Sequence, residues 1–267
     1  MRKKIIILAV LALILLAAGL GWRYYNQIAN NYLDNIKNPG VLVVGSNLPY
    51  GVMEFFDENN KPVGLDVDVA QEIANRLKLK LEFNNYDWDV LLSKVKNGEV
   101  DLAISSITIT PERQKEMLFS RSYFNGGQVI IVRSDDQDIN GVSDLLNKKI
   151  AAQNDTTSYL EAKKYTAADL VYAYASYNKT ASGVEIVNDL KNKKFDAIIV
   201  DYVQALTLTR NDLSLKIVGV PFTKEDYGIA SKISHTALIN KINHILLDME
   251  NDGTMDRINT KWIKFQF

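Results

Sequence analysis

The chain has 267 residues, 47% apolar and 24% charged, with 31 Lys and Arg against 32 Asp and Glu. This length suits two domains, and the composition excludes disordered and collagen-like chains; a net charge of −1 offers no basic face for nucleic acid. The absence of cysteine excludes disulfide frameworks and thiolate chemistry, and two histidines leave little for a zinc site or a histidine-based triad.

Arg2, Lys3 and Lys4 precede an apolar run from Ile5 to Leu20, followed by Trp22, Arg23, Tyr24 and Tyr25. With small Ala17 and Gly19 at cleavage-site spacing, residues 1–25 read as a signal peptide. They read equally as an uncleaved anchor, slightly short of the roughly 20 residues that cross a bilayer, with its aromatics at the outer interface. Either reading places the rest of the chain outside the cytoplasm, secreted or held at the extracellular face of the membrane. Residues 26–40 are polar and Asn-rich and are expected to form a linker.

Val41-Leu42-Val43-Val44 predicts a short strand ended by Gly45, and helical spacing predicts a helix over Val67–Leu77. Alternation at Leu79, Leu81 and Phe83 predicts a strand. A helix from Val90 to Lys96 is stopped by Asn97-Gly98, and Val100–Ile104 follows as a buried strand. This alternation predicts α/β units around a mainly parallel sheet. The run from Leu92 to Ile104 is echoed by Val187 to Ile199, each a helix end, a basic-polar turn, an Asp and an apolar strand. The echo is either two similar lobes or the general likeness of helix–turn–strand units. Gln128–Val132 and Ile217–Val220 are apolar strands placed to carry the chain from one lobe to another and back. Thr236 to Trp262 reads as helix broken near Asp252-Gly253.

Three places stand out chemically. Ser105 to Arg113 leaves a strand, with Thr110 as N-cap and Pro111 as first helical residue. Glu112 suits the positive helix start; Arg113 does not, since a cation there is disfavoured by about 0.3–1 kcal/mol. Ser106 and Thr108 hydroxyls, free amides and a guanidinium together form an anion site; the alternative is an Arg113 that reaches Glu116 or solvent. Asp155-Thr156-Thr157-Ser158 follows the strand Lys149–Ala152, and Ser158 with Glu161 fits a capping box. The amides of Thr157 and Ser158 then point out of a helix start, for a ligand or for ordinary capping. Asp201 directly follows the strand Ala197–Val200, where ligands of open α/β sheets gather. It can receive an ammonium or, with Gln204, cap a helix. Tyr50 follows the first strand, and Trp88 stands between Asp87 and Asp89, less suited to a core than an aromatic in an apolar run. His235 and His244 have no metal-ligand spacing and are expected in solvent; no metal and no cofactor is expected.

The motifs occur in a recognisable order: Leu42-Val43-Val44-Gly45, Val63 to Ala70, Asp101 to Ile104, Thr108 to Arg113, Phe119 to Phe124, Asp196 to Asp201, then Asp252-Gly253-Thr254 and Lys261-Trp262. From Val41 to Trp262 the chain resembles the family 3 extracellular solute-binding proteins, the amino-acid receptors of ABC importers. The resemblance implies a periplasmic-binding-protein-like α/β fold. Two α/β lobes are joined by a two-strand hinge, with residues 41–131 plus 224–267 in one and 132–223 in the other. The ligand lies in the cleft between them. It implies that Arg113 meets the ligand's α-carboxylate, helped by Ser106, Thr108 and the amide near Thr157, while Asp201 meets its α-ammonium. Aromatics at Tyr50 and Trp88 hold the side chain.

The chain also departs from the family. Asn47 stands where relatives that bind cationic side chains often carry Asp, and Gln153 stands where specificity is often set. Asp155 replaces a usual Gly, Val52-Met53 replaces Pro-Phe, and the lipidated Cys of many members is missing. The expectation is a monomeric, non-catalytic receptor for a polar, uncharged L-amino acid or close derivative, delivered to ABC permease subunits. The alternatives are a tethered sensor or adhesive surface protein on the same fold, and a cyclohexadienyl-dehydratase-like enzyme, which needs a cleft acid free of the ammonium.

Overall fold

The computed structural model describes residues 31–175, 179–180 and 183–263. The expected leader or anchor over 1–25 and the start of the linker lie outside the described residues. Ten strands build the two main sheets. In chain order the first five are Val41–Ser46 (β1), Lys80–Asn85 (β2), Leu102–Ala103 (β3), Met117–Gly126 (β4) and Gln128–Arg133 (β5). Ile150–Gln153 (β6), Val171–Tyr174 (β7), Ala197–Asp201 (β8), Leu215–Val218 (β9) and Glu225–Lys232 (β10) follow.

The first sheet runs β2-β1-β3-β10-β4 and the second β9-β5-β8-β6-β7. Parallel pairing links β1 to β2 and β3, β8 to β6, and β6 to β7. β10 is antiparallel to β3 and β4, and β5 is antiparallel to β8 and β9. The sheets are therefore mixed, not mainly parallel. The antiparallel pairs are confined to the strands next to the two crossings between the sheets, β4 with β10 and β5 with β9, and to their inner neighbours β3 and β8. β4 belongs to the first sheet and β5 to the second, so the chain changes lobes at Gly127, ahead of the expected position at 132. The return lies between Val218 and Glu225. At the outward crossing the backbones come close. A Cβ on Gly127 would lie 2.8 Å from both the Thr223 carbonyl oxygen and Pro221 Cβ.

The helices Leu65–Leu77 (α1), Trp88–Asn97 (α2), Pro111–Gln114 (α3), Thr157–Tyr165 (α4), Glu185–Lys191 (α5), Tyr202–Thr209 (α6), Thr236–Asn251 (α7) and Thr254–Trp262 (α8) cover the sheets. Their apolar faces make separate cores. Leu42, Val69, Ile73, Ile229, Ile242 and Leu246 lie in the first lobe, and Val129, Ile131, Ile186, Leu190 and Phe195 in the second. The internal echo has a physical basis. Asp101 accepts hydrogen bonds from Val43 N (2.8 Å) and Lys37 N (2.7 Å), and Asp196 accepts one from Lys149 N (2.8 Å). In each lobe, an aspartate ahead of a strand staples the start of its neighbour.

Two expectations change. Asn31–Asn35, expected as linker, is a 3-10 helix whose Tyr32 is buried in the first core, and Asn35 Oδ1 accepts from Leu238 N at 3.3 Å. An aromatic in a polar stretch finds an apolar partner that the local sequence does not show. His235, expected in solvent, is half-buried at the start of α7. Its Nδ1 lies 3.2 Å from Ser231 Oγ, and burial pushes its pKa down. Among the described residues, no helix is long and apolar enough to cross a membrane.

Candidate functional site

The carboxyl ends of β1, β3, β6 and β8 face one another across the two lobes, the place where open α/β sheets gather ligands. Asn47 follows β1, Ser106 follows β3, and Gln153 and Asp201 end β6 and β8. The structure brings these four together with Tyr50, Trp88, Thr108, Arg113 and Thr157 around one cavity. Ser105, Thr156 and Ser158 complete the lining, and local spacing does not single out Ser105 or Thr156 as ligand contacts.

Arg113 does not turn back to Glu116, which is paired with Lys96. Thr110 caps α3 by accepting from Arg113 N at 3.2 Å, which fixes where the guanidinium emerges. Arg113 Nη1 donates to the Thr108 carbonyl (3.0 Å) and Nη2 to the Asp155 carbonyl of the other lobe (3.2 Å). The guanidinium lies 5.4 Å from the Trp88 ring centroid, and Trp88 Nε1 donates to the same Asp155 carbonyl at 3.0 Å. Asp155, at φ 57, is in the left-handed region; Gly, Asn and Asp tolerate it best. That conformation turns its carbonyl across the cleft. Burial pushes the Arg113 pKa down, while Glu225, Asp201 and Asp155 push it up.

The start of α4 differs from expectation. Thr156, not Ser158, is the N-cap, accepting from Tyr159 N at 3.3 Å and donating to the Gln153 carbonyl at 2.6 Å. Glu161 pairs with Lys164 in place of a capping box. Thr157 and Ser158 are thus the first two helical residues, whose N–H groups have no acceptor within the helix.

Asp201 does not use its side chain as a cap. Its Oδ2 accepts from Tyr50 Oη and from Tyr227 Oη, both at 2.7 Å, while its Oδ1 is buried without a hydrogen-bond partner. Burial, then the nearby Glu225 charge, raises its pKa to about 6, against the two tyrosine hydrogen bonds and Arg113. Tyr227 is fully buried and stacks on Phe124 (5.8 Å, 19°).

Beneath the cavity, Glu54 and Asp66 form a buried carboxyl pair. Ser105 Oγ donates to Glu54 (2.7 Å), and Ser106 N and Tyr123 Oη donate to Asp66 (both 2.8 Å). Burial raises the pKa of both, to about 6 for Asp66. The pair holds Ser106 at φ 49 below the cavity. At the far wall Asn47 Nδ2 donates to the Tyr86 carbonyl (2.8 Å) and Gln153 Nε2 to the Ala175 carbonyl (3.2 Å). The donor set of hydroxyls, amides, one guanidinium and one aspartate suits an organic zwitterion. No group of three or more His, Asp or Glu able to hold a metal occurs among the described residues.

Comparison with known proteins agrees with this geometry. The family model for bacterial extracellular solute-binding proteins, family 3, matches residues 42–265. The glutamine-binding protein GlnH of a Bacillus subtilis ABC transporter is 29% identical over 274 residues, covering 98% of each chain. The L-cystine-binding protein TcyJ of Escherichia coli is 28% identical over 233 residues, 86% of this chain and 85% of that one. An ancestral arginine-binding protein solved with arginine superposes with a TM-score of 0.77 at 36% identity, covering 84% of this chain and 98% of that one. With a matched span that takes in both sheets and every residue lining the cavity, this chain belongs to the bacterial extracellular solute-binding proteins of family 3.

Proposed function

We propose that this chain is a non-catalytic receptor that captures a polar, uncharged L-amino acid or close derivative and delivers it to the permease subunits of an ABC importer. One observation carries the reading. A cation from the first lobe and an aspartate from the second line the same cavity, and the aspartate keeps one buried oxygen, Oδ1, without a partner. That oxygen accepts the ligand's ammonium. The α-carboxylate lies on Arg113, with Ser106, Thr108 and the first amides of α4 as further donors. The side chain passes between Tyr50 and Trp88 towards Asn47 and Gln153. Amides at those two positions favour a neutral polar side chain over a cationic one, nearer the glutamine of the Bacillus relative than the arginine of the ancestral protein.

A ligand held by both lobes favours the closed arrangement by its differential affinity, so capture is a population shift. The receptor works as a monomer outside the cytoplasm, and its N-terminal apolar segment carries it across the membrane. An enzyme on this scaffold needs an acid free of the ammonium. Here Asp201 is the one carboxylate on the cavity wall among the described residues, and two tyrosines direct it. No turnover of prephenate-like acids is expected.

Calorimetry against the free amino acids tests the reading. Hydrogen bonds to charged groups contribute about 1.5–3 kcal/mol each, so Asp201→Asn, which weakens one, should lower affinity by about ten- to a hundredfold and Arg113→Ala, which removes two, by about a hundredfold or more, with the melting profile retained. Tight binding by either variant contradicts it.

A further inference from the structure

Glu225 opens β10 where the chain has just returned to the first lobe, and it is only 3% exposed. A carboxylate so enclosed is costly unless donors surround it. Three do. Gln128 Nε2 (3.0 Å) and Thr223 Oγ1 (3.1 Å) donate to Oε1, and Thr157 Oγ1 (3.1 Å) donates to Oε2. Gln128 Nε2 also donates to Thr157 Oγ1 at 2.9 Å. Gln128 begins β5 and Thr157 begins α4, both in the second lobe, and Thr223 lies on the returning segment. The cluster thus joins both crossings to the helix start that lines the cavity.

The proton count decides what Thr157 offers a ligand. A threonine hydroxyl has one proton and two lone pairs. Gln128 donates into one lone pair, and the proton is directed at Glu225. Thr157 therefore presents its backbone N–H to an anion in the cleft, in a direction set by a side chain pinned from the opposite lobe. Glu225 also acts at a distance on both charged groups of the cavity, raising the pKa of Asp201 and that of Arg113.

We infer that Glu225 is a positioning residue for ligand binding: across the hinge it holds Thr157, and with it the first turn of α4, in register with Arg113. This rests on the ligand site proposed above. It makes the hinge end of the cleft part of the binding apparatus, although Glu225 does not line the cavity.

The test is a double-mutant cycle by calorimetry, using the amino acid that the full chain binds most tightly. Glu225→Ala and Thr157→Val should each weaken binding by about tenfold, and the double variant by about tenfold as well, because residues acting through one contact are not additive. If Glu225→Ala does not fold, Glu225→Gln, which keeps the side-chain volume, takes its place in the cycle. Binding within twofold of the parent, or a double variant that loses the product of the single losses, overturns the inference. Arg113→Ala separates the two levels. If it abolishes binding while the cycle is additive, only the role of Glu225 fails. If it binds as tightly as the parent, or the parent binds no amino acid, the ligand site fails and Glu225 with it.

Discussion

Asp201 carries its charge against its surroundings, and this has a measurable consequence. Its pKa of about 6 in the unliganded cleft comes from burial and from Glu225. An ammonium on Oδ1 favours the ionised form, so the liganded pKa lies lower. Below pH 6 the free protein holds a proton that binding must expel. The dissociation constant should therefore be flat above about pH 7 and rise as pH falls, approaching tenfold per pH unit well below 6. Calorimetry between pH 7.5 and about 5 reads this directly, and an unchanged constant across that range contradicts an ionised Asp201 as the ammonium partner. Arg113 and Asp201 stand out in the sequence, each with a solvent or capping alternative, and the structure places both on the cavity wall. Arg113 stands in a helix first turn that repels cations, and Asp201 follows an apolar strand. Glu225 and Tyr227 are not legible. Glu225 meets Gln128 and Thr157 from 97 and 68 residues away and Tyr227 meets Asp201 from 26, and an acid or a tyrosine at the start of a strand looks like any other surface residue until the fold buries it.

Among the elements, the stapled strands offer the sharpest test. Asp101 is 1% exposed and satisfies the N–H groups of Val43 and Lys37. Asp101→Ala leaves both without an acceptor and should destabilise the protein by about 2–4 kcal/mol, seen as a lower urea midpoint with an unchanged slope. Helices with clear 3.6-residue spacing are legible to within two residues: Val67–Leu77 is observed as Leu65–Leu77, and Val90–Lys96 as Trp88–Asn97. Strand extents are less so. Val100–Ile104 shortens to Leu102–Ala103, because pairing depends on the neighbour's register rather than on the run's own apolarity. The cap of α4 moved to Thr156 for a similar reason. Several hydroxyl residues in a row satisfy the same local rule, and the turn through Asp155 selects among them.

For the molecule as a whole, the two crossings between the sheets pack closely against each other. Gly127→Ala would bring a Cβ to 2.8 Å from the Thr223 carbonyl oxygen, an atom with little freedom to withdraw. Overpacking of this kind costs about 1–3 kcal/mol. The variant should melt several degrees lower and bind several-fold more weakly, since the crossings and the Glu225 cluster share Thr223. Scanning calorimetry and titration check both outcomes, and a variant equal to the parent in both contradicts a close-packed hinge. The two-lobed plan is legible in the order of motifs. The place of the outward crossing is not, because an apolar strand such as Gln128–Arg133 reads the same in either sheet.

β10 lies between β3 and β4 in the first sheet, yet it is made after every strand of the second. A polypeptide growing from its amino end therefore has every strand of the inner sheet while the outer sheet still lacks its fourth, and β4 has no neighbour to join. The outer half is assembled last, around a completed insert. Shortening the chain past Val218 removes the keystone of the half that begins the protein and, with Phe222, Thr223 and Glu225, the contacts that tie the threaded half to the returning segment.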